Sequence, residues 1–121
     1  MAGGRMPILL TTEMLAHAYD YLACQPPFDR WNLQPSEDIQ FFVIKRRDRV
    51  AHYQLLKGKH SIAMSSKFVG RHETLLSSMA HEMIHLHMAQ TCWNRRNPHD
   101  ATFHAYADAI CAHHDFDRLL F

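Results

Sequence analysis

The stretch SSMAHEMIHLHMAQ, residues 77–90, decides how this chain is read. It places His81, Glu82, His85 and His87 within seven positions. Around them Leu75, Leu76, Met79, Ala80, Met83 and Ile84 recur at helical spacing, which predicts a helix over 71–91 with that stripe turned to a core. At about 100° per residue, His81 and His85 share the opposite side, one turn apart. Two imidazoles so placed can converge on one zinc ion, and the glutamate between them is positioned as a general base. The plain alternative is a solvated His/Glu face on a surface helix. Even with 11 histidines in 121 residues, composition yields only roughly 0.03 accidental HExxH matches. His87 projects near the middle of the apolar stripe and reads as a core or helix-end histidine.

A catalytic zinc takes three protein ligands and keeps one position open. Two histidines follow the helix at suitable distances, His99 and His104. The run NPHD, 97–100, reads as a helix start, with Asn97 as N-cap, Pro98 at N1 and Asp100 at N3. This third helix extends to about His114, with Phe103, Tyr106, Ala107 and Ile110 facing inward. His99 sits at its beginning, where a short loop folds it back toward the second helix. His104 points away from Phe103 and Ala107, so His99 is the favoured third ligand. Ligand histidines usually donate their other ring nitrogen to a carboxylate or carbonyl; Asp108 and Glu13 are candidates. Tyr106, His104 or an arginine are candidates for a second oxyanion donor. His17, His52, His60, His72, His113 and His114 read as ordinary surface or core residues.

The rest of the chain frames this helix as one domain over residues 1–121, the first ten forming an extension. Residues 12–24 are predicted helical, capped by Thr11 or Thr12 and ended by Pro26–Pro27. Phe28 and Trp31 are expected to anchor the following loop. Three β-rich runs come next: 39–45, apolar on both faces; 50–56; and 60–65. Their short connections, RRDR and KGK, predict a three-stranded antiparallel meander. The last run directly precedes the active-site helix and is small on one face at Ser61, Ala63 and Ser65. It is therefore the expected edge strand for an extended peptide. The expected fold class is α+β, a small zincin-like domain.

Composition excludes several classes. The sequence is 47% hydrophobic and 21% charged with a formal net charge of +1, so there is no global charge case for nucleic acid or membrane. Basic residues cluster only locally, at 45–49, 57–59 and 95–96. Three cysteines without a CxxC argue against a disulfide framework and fit a reducing, intracellular compartment. No apolar run is long enough to span a membrane.

HEMIH at 81–85 followed by HDATF at 99–103, with the run HSIAMSSKFVGRHETLLSSMAHEMIH leading in, resembles the SprT-like (Spartan-type) zinc metalloprotease family over roughly residues 12–114. The resemblance implies zinc on His81, His85 and His99, Glu82 as catalytic base, and hydrolysis of protein or peptide substrates, DNA-associated proteins among them. It further implies weak single-stranded DNA binding and a cytoplasmic, nucleoid or nuclear location. Two departures stand out: Asp100 replaces the family's usual glycine, and the C-terminal zinc ribbon common in the family is missing. The competing reading is a catalytically silent, zinc-stabilised binding or regulatory module, against which the intact Glu82 weighs.

Overall fold

The computed structural model describes residues 9–91, 99–118 and 121. Its elements are α1 (Thr12–Ala23), β1 (Ile39–Ile44), β2 (Ala51–Leu56), β3 (Lys59–Ser65), α2 (His72–Thr91) and α3 (Ala101–His114), with two single 3-10 turns between α1 and β1. The class is α+β, three helices on a three-stranded mixed sheet.

Helix α1 begins where Thr11 accepts a hydrogen bond from the Met14 amide at 3.2 Å, satisfying one orphan donor of the first turn. Leu15, Ala18, Tyr19 and Leu22 form its buried stripe. Leu10 is buried as well, so the expected N-terminal extension does not reach residue 10; residues 1–8 lie outside those described. The loop after α1 is anchored as expected, by buried Phe28 and by Trp31 edge-on to it at 4.9 Å. The Tyr19 hydroxyl donates to the Gln34 carbonyl and ties the same loop to α1.

The sheet is not an antiparallel meander. Its order is β1-β3-β2, with β1 parallel to β3 and β2 antiparallel to it. Only β2 and β3 form a hairpin, through Lys57 and Gly58, both at positive φ (51° and 79°). Such a two-residue turn matches the twist of the strands it joins. The connection from β1 to β2 spans six residues, 45–50. Crossing two strand spacings needs only about 10 Å, which six residues cover easily. Burial decides which strand takes the middle. Ser61 through Ser65 are all buried, whereas β2 exposes Gln54, Leu55 and Leu56. A strand with polar and exposed positions belongs at an edge, and small or apolar residues fill a centre bonded on both sides. Residues 60–65 are therefore central, and the edge-strand role expected for them is ruled out. Nor is β1 covered on both faces: Phe42 is 44% exposed, because α1 and α2 pack against the face carrying Ile39, Phe41 and Val43.

Helix α2 lies across that face, touching α1, β2, β3 and α3. Its buried set is wider than one stripe and includes Glu82, Leu86, His87 and Met88 beside the expected Leu75, Met79, Ala80, Met83 and Ile84. The N-terminus of α3 also differs from expectation. Asp100 is the N-cap, accepting from the Phe103 amide at 3.1 Å. The expected cap Asn97 and first-turn Pro98 lie outside the described residues. Phe103, Ala107 and Ile110 are fully buried on the inward face of α3.

Candidate metal centre

His81 and His85 stand one turn apart on α2, and Asp100, by capping α3, fixes the backbone just after His99. The three imidazoles meet. Their Nε2 atoms are 3.3 Å apart for His81–His85, 3.1 Å for His85–His99 and 3.2 Å for His81–His99. Among the described residues these three form the one cluster able to hold a metal ion. A neutral imidazole has one N–H and one lone pair, so three nitrogens in a closed triangle make poor mutual hydrogen bonds. A shared cation satisfies all three. Tetrahedral coordination at about 2.0–2.1 Å places ligand nitrogens about 3.3–3.4 Å apart, close to the observed triangle.

The electrostatics favour lone pairs over protons. Burial, reinforced by His85, His99 and Arg118, lowers the His81 pKa to about 3. Burial and His99 lower that of His85 to about 4. Both rings are then neutral at pH 7, the form a metal needs. Phe103 supports the cluster, with its ring 4.9, 5.0 and 4.7 Å from those of His81, His85 and His99. Phe121 closes another side, 5.7 Å from His81.

Glu82 is 5% exposed, and burial alone raises its pKa to about 8. It shares a cleft of about 240 Å³ with the three histidines and with Ala51, His52 and Tyr53 of β2. The β2 register fixes what that wall offers. The Ser65 amide donates to the Val50 carbonyl at 2.7 Å, and the pairing continues through His52–Ala63 and Gln54–Ser61. Backbone groups of the even-numbered residues therefore point to β3. Those of Ala51, Tyr53 and Leu55 point to the outer edge, on which no strand pairs among the described residues. Ala51 and Tyr53 were not singled out by sequence reasoning. Their role depends on strand order, which no local pattern encodes.

Other candidates are placed elsewhere. His104 is exposed and holds Arg118 at 2.7 Å through Nδ1. Asp108 is engaged by Arg118 at 2.6 Å, and Glu13 accepts from Thr12 at 3.0 Å, so both proposed supporting carboxylates have other partners. Tyr106 packs on Trp31 and His87 and does not line the cleft. His87 is buried and stacked on Trp31 at 4.3 Å, a core residue as read.

An α+β domain in which two histidines of one helix meet a third just ahead of the next helix has the donor set of a metal site. The chain belongs to the SprT-like family, whose model matches residues 15–118, nearly the whole sequence. No curated protein matches it. Family membership is consistent with a metalloprotease-like domain. No helix among the described residues is long and apolar enough to cross a membrane.

Proposed function

We propose that this domain is a zinc-dependent metalloendopeptidase acting on protein substrates. The observation that carries the reading is the histidine triangle beside the Glu82 carboxyl in a cleft walled by a free strand edge. His81, His85 and His99 would hold the metal; three imidazoles suit zinc. Zinc bound there would supply Lewis acidity, polarising a carbonyl oxygen and making water acidic near neutral pH. Glu82 accepts the proton of the attacking water and returns it to the leaving amine. Its raised pKa fits a group that must carry the proton between those two events, and a cation nearby would draw it back down. The outward backbone groups of Ala51 and Tyr53 align an extended chain without reading its sequence.

Glu82→Gln separates this reading from a silent, zinc-stabilised module. The variant should keep its zinc and its fold while hydrolysis of unfolded protein substrates falls by about 10²–10⁴-fold. Wild type that binds zinc but cleaves none of a broad panel of such substrates would favour the module.

A further inference from the structure

Two hollows meet at Glu82. One is the cleft that runs along His85, His99 and Tyr53. The other, of about 170 Å³, is bounded by Val50, Ala51, Ser78, His81 and Glu82. They share Ala51, His81 and Glu82 and extend in opposite directions. The second leads toward the start of β2 and the N-terminal half of α2.

This hollow exists because two facing positions are small. Ala51 on β2 and Ser78, one helical turn before Glu82 on α2, leave a gap where larger side chains would close the strand onto the helix. Val50, 39% exposed, forms its rim. Apart from His81 and Glu82, its lining carries no ionisable group.

A peptide lying on the free edge of β2 directs alternate side chains toward the helix side. With its scissile carbonyl at the histidine cluster, a residue flanking the scissile bond projects past Glu82 into this hollow. On the same measure of volume, a cavity of roughly 150 Å³ accepts benzene. Leucine, isoleucine, methionine and the phenyl ring of phenylalanine fit. An acidic side chain would face Glu82, and a lysine would tie up the base. We infer that the Val50–Ala51–Ser78 hollow is a specificity subsite that selects a medium-sized apolar side chain beside the scissile bond. This rests on the hydrolase reading above and adds the substrate class to it.

The test is cleavage of peptide libraries varied at both residues flanking the scissile bond, using the zinc-loaded protein. At one of the two positions, leucine should exceed glycine by about 10- to 100-fold in kcat/KM. Ser78→Leu fills the hollow, and the ratio should fall toward one with zinc content and circular dichroism unchanged. Val50→Asp, a rim change that leaves the packing alone, should likewise reduce the ratio and serves if Ser78→Leu misfolds. A wild-type ratio near one at both positions, or a ratio that neither variant changes, overturns the subsite. Thermal shift with leucyl and glycyl peptide hydroxamates provides a reading without turnover. Tighter binding of the leucyl probe that Ser78→Leu abolishes supports the subsite even where no peptide is cleaved, in which case only the hydrolase reading falls. Equal binding of the two probes overturns the subsite.

Discussion

At the scale of single residues, the metal centre places opposing demands on protonation. His81 and His85 have pKa values near 3 and 4 in the fold, against about 6.5 in an unfolded chain. Below pH 6.5 the unfolded state binds protons that the folded state refuses, so their contribution weakens as pH falls toward 4. Glu82 acts in the other direction. Its folded pKa, near 8, lies above its unfolded value, so stability present below about pH 4.5 is lost as pH rises through 8. These three groups together predict a maximum near pH 6.5 for the chelator-treated protein. Melting temperature measured from pH 4.5 to 8.5 checks this, and Glu82→Gln should flatten the alkaline limb and steepen the acid one, because Glu82 opposes the two histidines from about pH 4.5 upward. The assignment of the third ligand is equally direct. His99→Ala should lower zinc affinity at least tenfold, because it leaves two ligands. His104→Ala should leave zinc stoichiometry at one, since its ring is occupied with Arg118 on the surface. The reverse pattern in a zinc titration would exchange the two residues.

At the scale of elements, strand order determines which backbone groups a substrate can use. A proline removes one N–H, and its effect depends on where that N–H points. Ala51→Pro deletes a donor on the free edge of β2, where proline is tolerated. It should leave the melting temperature within a few degrees while impairing peptide cleavage severalfold or more. His52→Pro deletes a donor facing β3 and should destabilise the sheet by about 1–3 kcal/mol, seen as a lower urea midpoint. Similar stability losses in the two variants would mean that the register-derived alternation is wrong. The same alternation explains an incorrect expectation. Residues 60–65 carry small side chains on one face, but their backbone groups are taken up by β1 on one side and β2 on the other, which leaves no edge for a substrate. Helix α2 shows the opposite situation. Its periodicity could be read directly, because spacing along one helix is fixed by 3.6 residues per turn and depends on nothing distant.

At the scale of the whole molecule, charge is nearly balanced, so any nucleic-acid contact must be local. We expect weak single-stranded DNA binding through the basic loop between β1 and β2. Within it Arg46 is already paired with Asp48 through two nitrogens, whereas Arg47 is exposed. Arg47→Glu should therefore weaken binding more than Arg46→Glu, with an affinity that falls steeply as salt rises. Fluorescence anisotropy at several salt concentrations measures both, and unchanged affinity in Arg47→Glu would remove the loop as a contact. Arg95 and Arg96, the other expected contacts, lie outside the described residues. The sequence by itself determined the elements whose logic is local: α1 with its Thr11 cap, the HExxH face of α2, and a histidine at the mouth of α3. It also carried the α+β class and the family resemblance. Only the tertiary structure decided that β3 enters between β1 and β2 and that Ala51 and Tyr53 wall the cleft. The physical reason is that helical phase and capping are set by neighbours within four residues. Strand order and cleft walls depend instead on which surfaces, far apart in sequence, exclude water most completely when they meet.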